Sequence, residues 1–430
     1  MTAPEARLAI LGGAPTIKDP FVRYNSIGIE EEEAALTVVR SGNLSQFIGA
    51  WDPDFLGGPH VRAFEEFFQD LFQVKHAVTM NSLTSVLTAA VGALGIEPGD
   101  EIITSPWTMS ATAMAILQWN AIPVFADIEA RTFNLDPRAV EALVTERTRA
   151  IIAPDIFGHS ADIDGLHAVA RKHGLRIISD TAQAPGARYH GAFSGTLTDI
   201  GGFSLNYHKH IHTGEGGVAV TNDDDLADRL QLLRNHAESV VGAKGTLDIT
   251  NMIGQNYRMG EIEAAIGIEQ LRKLPHFVAD RQRVASAFNA QLGELPGLQL
   301  PIVEDDCTHA YYVYPMTVDA SVTGVSRDVI ARALRAEGVP AVAAGYQLIH
   351  QLPLFQKRIA YGSQGFPWTL SESARAVNYS LGVCPVAEGL HHQSFLGLGI
   401  CQFRFDQSEI DQVVAAFHKV WNGRASLRDL

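Results

Sequence analysis

The chain has 430 residues, 46% of them hydrophobic and 19% charged, so it can bury a sizeable core and shows no sign of disorder. At ~150 residues per domain, that length suits two or three domains, or one large α/β body with an appendage. The 33 Lys and Arg against 48 Asp and Glu give a formal net charge of −15, with no basic run, which disfavours nucleic acid and anionic membrane surfaces as partners.

The N-terminal stretch is too weakly apolar for a secretory signal, and no run approaches the ~20 residues that span a bilayer. Cys307, Cys384 and Cys401 have no metal spacing and read as buried thiols in a reducing, cytoplasmic setting.

From about residue 80 to 222, short apolar runs alternate with amphipathic stretches. A short strand leads into Asn81, and further strands are predicted at 101–105, 123–127, 150–154, 175–180, 201–205 and 217–221. Helices are predicted between them at 83–95, 109–118, 135–145 and 163–173. The last carries Ile163, Leu166, Val169 and Ala170 on one face and stops at Gly174. Continuous apolar strands alternating with helices imply a mostly parallel sheet covered on both faces.

Helical periodicity then dominates at 223–236, 259–273 and 276–294. A Pro-rich junction at 292–306 reads as a boundary between a large domain, 1–295, and a smaller α+β domain, 296–430. The second domain is expected to hold a strand at 309–319 and helices at 326–338 and 408–421. The Gly-, Pro- and aromatic-rich segment 351–372 reads as a loop.

Walker-type phosphate loops, H-E-x-x-H, C-x-x-C and a strand-to-helix G-x-G-x-x-G are all missing, which removes the main support for kinase-like, zincin and plain dinucleotide readings. Three stretches remain. In GGFSLNYHKHIHTGEGG, 201–217, Lys209 follows a buried strand, where desolvation lowers a lysine's pKa and makes it nucleophilic. Taken alone, a lysine is more often a solvated charge.

In ISDTAQAPGA, 178–187, Asp180 stands at the carboxyl end of a strand, where open α/β sheets bind ligands, although a helix cap would use the same residue. Gln183 is three residues on. In VTMNSLTSVLTAAV, 78–91, hydroxyls and free N–H groups at a helix start offer an anion site or simply a cap. A phosphate cradle, a strand-end carboxylate and a lysine 29 residues later together make the parts list of a pyridoxal-phosphate enzyme. The histidines at 208, 210 and 212 read as core or substrate-facing groups, because no carboxylate or thiol completes a metal set.

At these residues the chain resembles the DegT/StrS-type sugar aminotransferases, which are fold-type I pyridoxal-phosphate enzymes. The family pattern S-F-x-x-x-K-x-[LI]-x-x-G-E-G-G reads here from Ser204 to Gly217, D-x-A-Q-A-x-G-A from Asp180 to Ala187, and N-Y-R-M-x-E-x-x-A-A from Asn256 to Ala265. GGPHVRAFEEFF at 57–68, PGDEIITS at 98–105 and AIPVFADIEARTFNLDP at 121–137 match as well. The likeness covers residues 25–290 well and the C-terminal part loosely.

The resemblance implies a large domain built on a mostly parallel seven-stranded sheet and a smaller C-terminal α+β domain. It implies pyridoxal 5′-phosphate held as a Schiff base by Lys209, with Asp180 on the pyridine nitrogen and Gln183 on the ring hydroxyl. Ser204, Thr84 and the N–H of Leu83 would hold the phosphate. Leu83 stands where the family usually has glycine, and the slot for the ring-stacking aromatic aligns with Met109, with Trp107 two residues earlier.

Asn256 would reach the phosphate of the other subunit's cofactor, which implies a homodimer with shared active sites. The activity implied is transfer of an amino group from Glu or Gln to a keto-sugar, nucleotide-linked in most of the family, or to a ketocyclitol. Segments 42–58 and 351–372 are expected to line the acceptor pocket. Two alternatives share the fold: a sugar dehydratase, a branch with histidine in place of the lysine, and a non-catalytic regulatory protein.

Overall fold

The structure, a computed structural model, describes residues 7–430. Its centre is a seven-stranded sheet. The strands are β1 (His76–Met80), β2 (Glu101–Thr104), β3 (Ile122–Phe125), β4 (Thr148–Pro154), β5 (Arg176–Asp180), β8 (Ile200–Ser204) and β9 (Gly217–Thr221), with the short hairpin β6 (Arg188–Tyr189) and β7 (Ala192–Phe193) standing apart. The order is β1-β9-β8-β5-β4-β2-β3, and the pairs from β8 to β3 are parallel. Only β9 runs against its neighbours β1 and β8.

These strands are almost wholly buried, as expected for a sheet covered on both faces. Helices α1 (Ile29–Ser41) and α2 (Pro59–Phe72) precede the sheet. Then α3 (Leu83–Ala93), α4 (Ser110–Gln118), α5 (Pro137–Leu143) and α6 (Ile163–His173) alternate with its strands, and α7 (Asp224–Arg234) and α8 (Ala237–Lys244) follow it. One core joins α3, α7 and α8 to the sheet, and another joins α2 and the next long helix to it.

That long helix, α9, runs unbroken from Glu261 to Leu292, where the sequence pattern predicts two helices divided near Pro275. Proline in a helix interior costs ~3 kcal/mol. Here Leu271, Leu274, Val278, Val284 and Phe288 are buried on both sides of it, and α9 packs on α1 and α2. Burial over the whole length offsets one missing hydrogen bond.

A second, antiparallel sheet has the order β10-β11-β13-β12, formed by β10 (Leu298–Gln299), β11 (Tyr314–Val318), β12 (Val342–Ala344) and β13 (Phe395–Leu398). Its core takes in Phe288 and Leu292 from α9 and also Leu8 and Ile17 from the N-terminal arm, so residues 8–17 pack here rather than on the first sheet. The strand expected at 309–319 begins only at Tyr314, because the chain turns at Tyr311, whose φ is 52°. The segment 351–372 is not an open loop. Phe355 and Trp368 are fully buried in it, and Trp368 Nε1 donates to the Tyr379 hydroxyl at 2.9 Å.

Behind β1 lies a buried ion pair. Glu65 of α2 accepts from the Thr79 N–H and hydroxyl, both at 2.8 Å, and from Arg234 Nη1 at 2.6 Å. Arg234 is wholly buried at the end of α7. Arg234→Ala would strand the Glu65 charge, and removal of one partner from such a pair costs about 3–5 kcal/mol. Guanidinium unfolding is expected to show that loss; a change below ~1 kcal/mol would mean that the pair does not tie α2 to α7.

Candidate active site

The site forms where the carboxyl ends of β5 and β8 meet the start of α3. Asp180 is the last residue of β5 and pairs with Gly202. Ser204 ends β8 opposite Gly217, and Gly217 pairs with Met80 at the end of β1. A Cβ on Gly217 would lie 2.5 Å from the Ser82 carbonyl carbon and 2.6 Å from Leu83 N. Glycine is therefore what lets the start of α3 rest on this edge. Ser82 caps α3 by accepting from the Ser85 N–H at 3.1 Å. The N–H groups of Leu83 and Thr84, in the first turn, have no intrahelical partner and point with the helix dipole. Thr84 is exposed.

Lys209 sits in the loop between β8 and β9. The base of the loop is closed by Leu205 N–H to Gly216 O at 2.9 Å, Thr213 N–H to Leu205 O at 3.0 Å and a bridge between Asn206 and Gly214. The loop carries the lysine inward, leaving it 8% exposed. Burial pulls its pKa down to about 8, against the raising pull of the Asp180 carboxylate. Asp180 is buried as well, and desolvation raises its pKa while the Thr112 hydroxyl, the Ala182 N–H and the Lys209 charge oppose that. Thr112 donates to it at 2.7 Å and Ala182 at 3.2 Å.

No ion pair reaches Asp180 among the described residues; a hydroxyl and an amide donate to its carboxylate, and the Lys209 charge acts on it from beyond contact. A protonated ring nitrogen is the kind of partner such a carboxylate lacks. The open N–H groups of α3 and the Ser204 hydroxyl suit a phosphate. The residues present thus fit pyridoxal 5′-phosphate.

Gln183 is buried three residues beyond Asp180. Its amide oxygen accepts from the Phe157 N–H at 2.8 Å, and its nitrogen donates to the Tyr346 hydroxyl at 3.3 Å. The oxygen is thereby engaged, which leaves the second hydrogen of the NH₂ to meet a ring oxygen. Phe157 holds a left-handed φ of 58° to make that contact.

The two candidates for covering the ring part company. The Trp107 indole is fully buried against Phe133, Phe157, Tyr346 and Phe395, and its Nε1 donates to Tyr346 O at 3.0 Å. It is core, with no face open to a ligand. Met109 is 59% exposed at the start of α4 and accepts the Ala111 N–H on its sulfur at 3.0 Å.

Asn256 is exposed, and its carboxamide oxygen accepts from Arg258 Nε at 2.9 Å. The next residue, Tyr257, accepts the Asn81 N–H at 2.8 Å, which brings this segment beside the start of α3. No hydrogen bond joins Asn256 to Lys209, Asp180 or Ser204. The segment 42–58 lies over α7: Asn235 donates to Ile48 O at 2.9 Å, and Arg234 stands 4.8 Å from the Phe47 ring. No hydrogen bond or ion pair joins it to Lys209 among the described residues.

Of the loop histidines, His210 is buried, its ring bonds Ala310 O at 2.8 Å, and burial drives its pKa down to about 3. It is a core histidine. Sequence patterns missed Thr112, which donates to Asp180, and Tyr346, which accepts from Gln183. Thr112 lies one helical turn beyond the Met109 slot, whereas nothing in the sequence distinguishes Tyr346 from its neighbours.

The chain matches the model of the DegT/DnrJ/EryC1/StrS aminotransferase family over residues 50–388. It is 35% identical over 372 residues to the spore coat polysaccharide biosynthesis protein SpsC of Bacillus subtilis (strain 168), a match that covers 85% of this chain and 93% of that protein. It is 32% identical over 444 residues to the L-glutamine:2-deoxy-scyllo-inosose aminotransferase of Streptomyces lividus, covering 98% of this chain and 99% of that one. Among solved structures, an aminotransferase from Psychrobacter cryohalolentis superposes with a TM-score of 0.80 at 29% identity, covering 94% of this chain and 99% of that chain.

Burial of Lys209 makes a direct prediction. In cofactor-free protein, acetylation of Lys209 by acetic anhydride, followed peptide by peptide, is expected to rise with a midpoint near pH 8, since only the neutral amine reacts. A midpoint near 10.5, the ordinary value for lysine, would mean that the side chain is solvated.

Proposed function

Because the chain belongs to the DegT/DnrJ/EryC1/StrS aminotransferase family, and so is a pyridoxal 5′-phosphate-dependent transaminase, we propose that it moves an amino group from glutamine or glutamate to the carbonyl carbon of a keto-sugar or ketocyclitol. The observation that carries the site assignment is the pair of buried, opposite charges Asp180 and Lys209 beside the open start of α3. When bound, pyridoxal 5′-phosphate supplies an electrophilic aldehyde and a pyridinium ring that takes up the electron pair of the breaking C–H bond.

The chain's own residues would divide the remaining work. Asp180 keeps a proton on the ring nitrogen, and Thr112 holds the carboxylate in place. Leu83 N–H, the Thr84 and Ser204 hydroxyls and the dipole of α3 anchor the phosphate. Gln183 Nε2 would meet the phenolic oxygen of the ring. Met109, exposed at the start of α4, would cover the ring. Lys209 Nζ would hold the cofactor and would take and return the proton at the carbon that carries the amino group. A lysine with a pKa near 8 is largely able to do both at neutral to mildly alkaline pH.

Lysine rather than histidine at position 209 supports amine transfer over dehydration. The names of the relatives support a sugar or cyclitol acceptor, and that of the Streptomyces lividus enzyme supports glutamine as donor. The expected setting is the cytoplasm, and no helix of the described residues is long and apolar enough to cross a membrane.

The same reading makes the working unit a homodimer. Asn256 is exposed, and so are Leu44, Ile48 and Trp51 on one segment and Leu247, Ile249 and Ile253 on another. Lys244, 4.8 Å from the Trp51 ring, joins the two segments. Apolar side chains in such number on one region suit a covered surface.

The test is amine transfer with glutamine and glutamate against keto-sugar nucleotides and ketocyclitols, run on wild type and on mixed Asn256→Ala and Lys209→Ala subunits. If Asn256 serves the neighbouring site, a mixed dimer has one intact site and one with both defects, so about half the activity per dimer returns after subunit exchange. No transfer to any keto-substrate would overturn the activity. No recovery after confirmed exchange would overturn the shared site.

A further inference from the structure

The ε-amine of Lys209 has no ion pair and no hydrogen bond among the described residues; it faces the ring of Tyr312, with Nζ 4.5 Å from the centroid. The ring is held there by a segment anchored on two sides. Ala310 N–H donates to Gly158 O at 2.7 Å, and Val313 N–H to Phe157 O at 3.2 Å, on the same turn that orders Gln183. From the other side the His210 ring bonds Ala310 O at 2.8 Å, one residue beyond Lys209.

His208 and His210 also stand near the Tyr312 ring, at 6.1 and 6.3 Å between centroids. Burial lowers the pKa of both, so neither brings a competing charge at neutral pH. Lys209 is the cation this ring receives.

A buried base has conflicting demands. It has to be neutral to take a proton, yet desolvation penalises the ammonium that results. An aromatic face relieves the second demand without adding a carboxylate that would hold the proton too tightly. We propose that Tyr312 is a further residue of the active site, whose ring face receives the Lys209 ammonium between proton uptake and proton return. The proposal rests on Lys209 being the reactive amine. It concerns the ring, not the phenol, since burial pushes the Tyr312 hydroxyl away from ionisation.

The test compares Tyr312→Phe, which keeps the ring, with Tyr312→Leu, which removes it. Tyr312 is only half-buried, so truncation opens no core cavity, and Tyr312→Met serves if the leucine variant does not fold. The readout is the pH midpoint for acetylation of Lys209 in cofactor-free protein. Loss of the ring is expected to lower that midpoint by ~1 pH unit, tenfold in the protonation equilibrium, because the charged form loses its contact. The phenylalanine variant is expected to keep the wild-type midpoint and, in the loaded enzyme, the wild-type pH dependence of kcat.

An unchanged midpoint in the leucine variant would overturn the proposal. So would an equal shift in the phenylalanine variant, which would place the effect in the hydroxyl. Borohydride fixation of pyridoxal 5′-phosphate is run in parallel on wild type. If the label falls elsewhere than Lys209, the reading beneath the proposal fails, and the two failures are told apart.

Discussion

Asp180 and Lys209 are taken out of water at the same end of the sheet without being joined in an ion pair. Each is costly to bury alone, and the cost shows in opposite directions: the carboxyl is raised, and the amine is lowered to about 8. A direct pair would have quenched both. Unpaired, the two can each meet one part of a single group, positively charged at Asp180 and electrophilic at Lys209. The rest of the site holds them apart.

The sheet fixes the carboxylate. Asp180 ends a strand paired on both sides, to Pro154 and to Gly202, and Thr112 of α4 holds its outer oxygen. The lysine is fixed by a loop rather than by a strand, so the chain closes that loop at its base and props its tip on the 309–313 turn. Gly217 brings in the third part by letting the first turn of α3 rest on the sheet edge. A strand end, a loop and a helix start thus meet at one end of the sheet.

Much of this is legible in the sequence, because the groups with chemistry sit at strand ends and the strands are plain apolar blocks. Asp180, Ser204, Lys209, Leu83 and Thr84 stand at the strand ends, loop and helix start that meet at this end of the sheet, and Gln183 follows Asp180 by three residues. What escapes is decided by packing. Trp107 is an aromatic two residues from the expected slot, yet it is drawn into the core beside Phe157 and Phe395. Pro275 marks a helix end by local rules, but burial along α9 overrides it. Thr112, Tyr346 and Tyr312 carry no local signature, since their roles depend on which strand end or loop they face across the fold. Arm residues 8–17 join the second sheet because their apolar side chains find a partner only there.

In the proposed function the Asp180 charge, rather than its shape, sets the chemistry. Asp180→Asn keeps the size and one acceptor for Thr112. It is expected to fold and to bind pyridoxal 5′-phosphate at Lys209 while losing ~2–4 kcal/mol of barrier stabilisation, roughly 30- to 1,000-fold in the rate of amine transfer. The measurement is the single-turnover rate with glutamine under saturating cofactor. A loss of that size with cofactor still fixed on Lys209 by borohydride is the predicted result, and a wild-type rate in the asparagine variant would contradict it.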